Sequence, residues 1–119
     1  MVKLREEVER FLALFFPKLE IWGIFVLYRE KNQEALRLLG ITPAMRKAFI
    51  KTIEVKDYVE TVESTLNCFG DMWVFGKDYD GEEMYIKVAL GDPGTHTICI
   101  SFHKAEYPLQ YAFKDEKNG

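Results

Sequence analysis

The sequence predicts an α+β fold in which helices cover one face of an antiparallel sheet. Three observations lead to this prediction. Apolar residues recur at three- and four-residue spacing near the N-terminus, two helix-start signals follow a short apolar run, and three further apolar runs near the C-terminus are separated by turn sequences. The predicted order is therefore an N-terminal helix, one strand, two short helices and a three-stranded antiparallel meander.

Composition limits the organisation of the chain and its partners. With 119 residues, 48% of them hydrophobic and 29% charged, we expect a single domain over residues 1–119. The net charge of -3 does not favour binding to nucleic acid or to an anionic membrane. Residues 29–51 are locally basic, whereas residues 54–83 are acidic. The two cysteines, Cys68 and Cys99, form no disulfide framework, so we expect a cytoplasmic protein.

The first helix and the first strand follow from the apolar pattern. One helical face carries Val2, Leu4, Val8, Phe11, Leu12 and Phe15. We expect the helix to stop before Pro17, because the residue that precedes proline disfavours helical geometry. The run "EIWGIFVLY" at residues 20–28 is continuously apolar, which predicts a strand covered on both faces.

Two short helices are predicted from their end signals. Asn32 is the expected N-cap of the first and Gly40 its stop. Thr42 is the expected N-cap of the second, Pro43 suits its first position, and the helix should run to about Thr52. Residues 54–71 show no clean period and are predicted to form an irregular or partly extended connection.

The meander is predicted from two turn sequences, Asp80-Gly81 and Asp92-Pro93-Gly94. A tight turn at Asp80-Gly81 fixes the register of the first hairpin. The predicted pairs are Tyr79 with Glu82, Lys77 with Met84, Phe75 with Ile86, and Trp73 with Val88. Alternation then directs one set of side chains toward the helices: Trp73, Phe75, Ile86, Val88, Ile98, Ile100 and Phe102.

The opposite face of the sheet is predicted to carry Tyr85, Lys87, Cys99, Ser101 and His103. RNA supplies its own nucleophile, the 2′-hydroxyl, so cleavage requires only proton transfer and stabilisation of the phosphate, with no metal or cofactor. Histidine suits proton transfer near neutral pH, a tyrosine hydroxyl donates or orients, and lysine holds phosphate. Each residue type is also ordinary on a strand, so the pattern alone leaves a purely structural interpretation open.

A resemblance to a known family agrees with this interpretation. The segments "MWVFGK" at residues 72–77, "YIK" at 85–87 and "CISFH" at 99–103 resemble the C-terminal part of the MqsR-like toxins of bacterial type II toxin-antitoxin systems. The resemblance implies a RelE-like fold, mRNA cleavage and a cognate antitoxin, expected to have a helix-turn-helix domain. It gives functional roles to the positions of Tyr85 and His103, where histidine replaces a family lysine. Val74 replaces a family glutamine.

Two hypotheses follow. In the first, the protein is an endoribonuclease toxin with His103, Tyr85 and Lys87 as catalytic residues. The predicted RNA-binding residues are Lys77, Ser101, Lys104, Arg46 and Lys47. In the second, the chain is a catalytically inert interaction domain that keeps the fold and binds a protein partner, which the acidic net charge favours. Whether cleavage requires the ribosome is open.

Overall fold

A computed structural model describes residues 1–64 and 70–114. Its helices are α1 (Arg5–Trp22), α2 (Glu30–Leu39) and α3 (Pro43–Ile50). The strands are β1 (Ile24–Val26), β2 (Tyr58–Val62), β3 (Met72–Tyr79), β4 (Glu82–Ala89) and β5 (Thr97–Lys104). They form one mixed sheet in the order β1-β5-β4-β3-β2, in which β1 is parallel to β5 and the other neighbours are antiparallel. The α+β class and the C-terminal meander are confirmed. Cys68 lies outside the described residues.

The sheet has one strand more than the sequence predicts. Residues 54–71, predicted to be an irregular or partly extended connection, include a 3-10 turn at Val55–Asp57 and strand β2, which pairs with β3. A bulge between Tyr58 and Glu60 interrupts the alternation of β2. This interruption explains why no period of two is visible in the sequence. Residues 65–69 of this connection lie outside the described residues.

Helix α1 does not stop before Pro17, and β1 is shorter than predicted. The helix continues to Trp22 because Leu19 extends the buried stripe formed by Val8, Phe11, Leu12 and Phe15. This burial outweighs the one backbone hydrogen bond that proline removes. Gly23, with φ 80°, ends the helix, and only Ile24–Val26 form the strand. Strand β1 lies at the edge of the sheet, not in a position covered on both faces, since Phe25 is 50% exposed.

Asn32 is not an N-cap, which corrects the prediction. Helix α2 begins at Glu30, and Asn32 lies within it, fully buried. The Asn32 amide Nδ2 donates to the carbonyl oxygens of Leu27 and Ile100, both at 3.0 Å, and Oδ1 accepts from the Phe102 N–H at 2.9 Å. Strand β1 has ended at this level, so the Asn32 side chain takes the place of the missing neighbour of β5.

The signals around α3 are confirmed in part. The Thr42 hydroxyl accepts from the Met45 N–H at 3.1 Å, and Pro43 occupies the first turn. The helix ends at Ile50, two residues before the predicted Thr52. Gly40 stops α2 in the left-handed conformation, with φ 68°.

The register of the first hairpin is confirmed at every predicted pair. Asp80 and Gly81 both have positive φ, 52° and 90°, as a type I′ turn requires. The pairing places Trp73, Phe75, Ile86 and Val88 in the core beneath the helices. The turn sequence was therefore sufficient to fix which side chains share a face.

The last strand departs from its predicted alternation. Lys87 pairs with Ser101, whereas the next residue of β4, Val88, pairs with Cys99, so Ile100 is an extra residue at a bulge. On the N-terminal side of this bulge, the side chains of β5 therefore point to the face opposite the predicted one. Cys99 lies in the core beneath the helices, where burial raises its thiol pKa to about 12. The prediction that Ile98 and Ile100 lie there is wrong, because both form a second cluster with Ala89.

The segment after β5, residues 105–111, crosses the sheet face that the helices leave uncovered. Two of its hydrogen bonds go to the Glu83 carboxylate: the Tyr111 hydroxyl donates to Oε2 at 2.6 Å, and the Leu109 N–H donates to Oε1 at 3.2 Å. A Cβ atom at Gly76 would lie 2.5 Å from both Leu109 Cδ1 and Tyr111 Oη. Glycine at position 76 therefore lets the segment lie against β3. Among the helices of residues 1–64 and 70–114, none combines the length and apolar character needed to cross a membrane.

Candidate functional site

Tyr85 and His103 lie side by side on the sheet face opposite the helices. Tyr85 is in β4 and His103 in β5, and the two residues pair directly across the strands. Their rings stack with centroids 5.3 Å apart and planes inclined by 16°. Cross-strand aromatic pairs of this kind restrict both side chains. The site therefore holds an imidazole and a phenol in a fixed relation.

Lys87 and Ser101 extend the pair along the same two strands. They pair with each other one step further along the face, before the bulge at Ile100. The Lys87 ammonium lies 5.8 Å from the centroid of the Tyr85 ring. Ser101 is buried. The imidazole, phenol, ammonium and hydroxyl that the sequence placed on one face are thus neighbours.

The side chains of this cluster line a cavity of about 220 Å³. Its outer wall comes from α2 and from the segment after β5, where Lys31 Nζ contacts Glu106 Oε2 at 2.5 Å. The lining residues are Lys31, Tyr85, Lys87, Ser101, His103, Glu106, Tyr107 and Leu109. The site is thus a recess with walls rather than a flat sheet surface.

His103 also borders a second cavity of about 350 Å³ between α2 and the ends of β4 and β5. Its apolar surface comes from Ala35, Leu38, Leu39 and Met84, and charged residues including Lys104 surround it. The imidazole therefore stands between a polar recess and a more apolar one.

Burial and neighbouring charges shift two of the clustered groups. Burial, followed by the charge of Glu60, raises the pKa of the Tyr85 phenol. Burial, followed by the positive charge of Arg29, lowers the pKa of the Lys87 ammonium. Tyr85 is therefore held as a neutral proton donor, and Lys87 is a partly desolvated cation that an anion would stabilise.

The orientation of the His103 ring depends on a local contact. Nδ1 lies 3.0 Å from the carbonyl oxygen of Lys104. When Nδ1 carries the proton, it donates to this oxygen, and Nε2 keeps a lone pair. In that tautomer the ring can accept a proton at Nε2.

Several predicted RNA-binding residues lie away from this cluster. Lys77 points to the other face, where it pairs with Asp57 at 3.3 Å. Lys104 binds Glu82 at 3.0 Å and borders the larger cavity. Arg46 is buried between α3 and β1, and Lys47 lies beside it. The structure brings together His103, Tyr85, Lys87 and Ser101, but not Lys77, Arg46 or Lys47.

Residues that the sequence interpretation missed complete the site. Lys31 and Arg29 belong to the basic segment, but nothing in their spacing placed them beside β4. Glu106 and Tyr107 follow His103 closely along the chain, and that proximity was the one available signal. The Lys31 hydrogen bond and charge lower the pKa of Glu106. Glu106 and Tyr107 reach the site because the chain turns back over the sheet after β5, whereas Arg29 and Lys31 reach it from the start of α2.

Neither a cluster of metal ligands among the described residues nor a match to a known protein points to a function for this site. Within residues 1–64 and 70–114, no group of three or more His, Cys, Asp or Glu side chains could hold a metal ion. The chain matches no model of a known family, no curated protein and no solved structure. The resemblance to MqsR-like toxins therefore stays a prediction.

Proposed function

We propose that the chain is an endoribonuclease toxin of the MqsR-like family with a RelE-like fold. It cleaves mRNA without a metal or other cofactor, and a cognate antitoxin opposes it. The observation that carries the proposal is the stacked pair of Tyr85 and His103, with Lys87 beside it in one recess. The cytoplasmic location and the helix-turn-helix domain of the antitoxin belong to the same proposal.

The proposed reaction uses the RNA 2′-hydroxyl as nucleophile. His103 Nε2 takes the proton of this hydroxyl while the 2′-oxygen bonds to the adjacent phosphorus. The bond from phosphorus to the 5′-oxygen breaks, that oxygen takes a proton from solvent water, and His103 returns the proton it gained to solvent. The products are a 2′,3′-cyclic phosphate and a free 5′-hydroxyl.

Tyr85 and Lys87 stabilise the charge that develops on the phosphate. A phenol with a raised pKa keeps its proton, so Tyr85 donates a hydrogen bond to a phosphate oxygen or to the leaving 5′-oxygen. The Lys87 ammonium gains more from an anion than a fully hydrated lysine would, because it is already partly desolvated. Ser101 lies within the same recess as a further donor.

RNA binding requires local positive charge, since the whole chain is acidic. Lys87 and Lys31 line the recess, and Arg29 is close enough to influence Lys87. This part of the basic segment is the proposed path of the RNA backbone. Lys104 adds charge on the far side of His103.

The proposed chemistry is tested with an RNA oligonucleotide in the presence of a metal chelator. We expect cleavage to yield a 2′,3′-cyclic phosphate, and we expect a single 2′-deoxy substitution at the cut to prevent it. Chromatography and mass spectrometry identify the products. Cleavage of the 2′-deoxy strand at the same position would contradict the mechanism, and no cleavage with or without ribosomes would favour the inert interaction domain.

Lys87→Gln should weaken RNA binding and reduce its salt dependence. Loss of one phosphate contact should reduce the slope of log affinity against log salt concentration by about 0.7 for a single strand. Binding is measured by fluorescence anisotropy with an uncleavable 2′-deoxy oligonucleotide. The matched control is Lys77→Gln, because Lys77 is paired with Asp57 on the other face. Equal slopes for wild type and Lys87→Gln would exclude a phosphate contact at Lys87.

A further inference from the structure

A cavity of about 250 Å³ lies between α3 and the edge strand β1, outside the proposed RNA site. Arg46 lines this cavity and is only 6% exposed. Its lining residues are Ile24, Val26, Pro43, Ala44, Arg46, Lys47 and Ile50. The surfaces next to the Arg46 guanidinium are thus mostly apolar.

One nitrogen of the Arg46 guanidinium, Nη1, lacks the partner that its burial requires. Its Nη1 atom is the only buried side-chain nitrogen or oxygen without a hydrogen-bond partner in the part of the chain that the structure describes. Burial also lowers the pKa of Arg46, as expected for a cation removed from water. A buried donor without an acceptor destabilises the free protein, and an anion in the cavity would satisfy it.

The outer edge of β1 borders the same cavity. Gly23 and Leu27 use their backbone groups on the β5 side: Gly23 O accepts from the Thr97 N–H, and the Leu27 N–H donates to Cys99 O. Because alternate residues of a parallel strand bond to the same neighbour, the backbone groups of Ile24 and Val26 face outward. Strand β1 has no neighbour on its outer side among the described residues. Free backbone groups of β1 and a guanidinium with an unpaired Nη1 therefore border the same cavity.

We infer that this edge binds an extended, acidic segment of a protein partner. The segment adds to the sheet beside β1 and directs an Asp or Glu side chain into the cavity, where its carboxylate accepts from Arg46 Nη1. Lys47 gives the cavity further positive charge. Trp22 and Phe25, exposed by 52% and 50%, provide apolar surface next to this edge. The inference does not depend on RNA cleavage.

The test uses two synthetic peptides with alternating Thr and Val, one with a central Glu and one with Gln at that position. We expect wild type to bind the Glu peptide at least about tenfold more tightly than the Gln peptide. Peptide binding should also shift the backbone amide signals of Ile24 and Val26 in NMR spectra. Equal affinity for the two peptides, or shifts that avoid β1, would overturn the inference without bearing on RNA cleavage.

Arg46→Met provides the second arm. It should abolish the preference for the Glu peptide while leaving the thermal midpoint of the free protein unchanged or higher, because it removes an uncompensated buried charge. Arg37→Met, at an exposed arginine paired with Glu30, should keep the preference. Retention of the preference in Arg46→Met would overturn the inference. Binding of butyrate alone as tight as that of the Glu peptide would also overturn it, in favour of a small-molecule site.

Discussion

Replacing His103 with alanine is expected to lower the rate of RNA cleavage by about 10²- to 10⁴-fold, the usual contribution of a general acid or base. The imidazole has a fixed partner at Nδ1, the Lys104 carbonyl oxygen at 3.0 Å, and a fixed neighbour in the Tyr85 ring. No other described histidine lines this recess, so the deletion leaves no substitute. The measurement is a single-turnover rate with an RNA oligonucleotide.

The matched control for His103→Ala is His96→Ala. The His96 ring contacts Phe25 in a tilted arrangement, with ring centroids 5.5 Å apart, and does not line the recess, so its loss should leave the rate unchanged. Tyr85→Phe keeps the stacked ring but removes the hydroxyl, and we expect a smaller decrease in rate than for His103→Ala. If the His103 and His96 variants cleave RNA equally well, the assignment of His103 is wrong.

Replacing Asn32 with alanine is expected to lower the free energy of unfolding by about 3 to 5 kcal/mol, because it leaves the buried Ile100 carbonyl and the buried Phe102 N–H without partners. For a domain of this size such a loss lowers the thermal midpoint by about 10 to 20 °C. Thermal unfolding followed by circular dichroism measures it. Part of this loss of stability should come from the C-terminal end of β5, which carries His103, because Asn32 binds the neighbouring Phe102 N–H.

Two variants make the Asn32 result specific. Glu34→Ala removes an exposed side chain from the same helix and should change the midpoint little. Asn32→Asp keeps an oxygen that can accept from the Phe102 N–H but loses the Nδ2 donor, and it places a charge in the core, so it should also destabilise the protein. A midpoint for Asn32→Ala within 2 °C or so of wild type would show that water replaces the amide without cost.

Local patterns predicted much of the fold because their signals depend on neighbours in sequence. Asp80-Gly81 fixed the first hairpin, since both residues adopt positive φ. Thr42 and Pro43 likewise marked the start of α3. Pro17 misled the prediction, because the burial of Leu19 holds α1 together past the proline. A proline sets a local preference, and packing decides whether the helix follows it.

The candidate site likewise combines features that local patterns predicted with features that only packing decided. Alternation from the turn placed Tyr85 and Lys87 on one face, and the structure puts Ser101 and His103 opposite them. The bulge at Ile100 could not be predicted, because a single extra residue leaves no mark in an apolar run. The contacts of Lys31 and Arg46 depend on how the helices pack on the sheet, so the sequence could not predict them either.

The sequence by itself determined the α+β class, the first hairpin register and the pairing of a phenol with an ammonium on one sheet face. These properties follow from periods of two and from turn residues, which are local. The tertiary structure alone decided that Cys99 is in the core, that Asn32 completes the edge of β5, and that Nη1 of Arg46 is buried without an acceptor. Each of these depends on contacts between residues distant in sequence, and the free energy of such contacts is set by burial after the chain has packed.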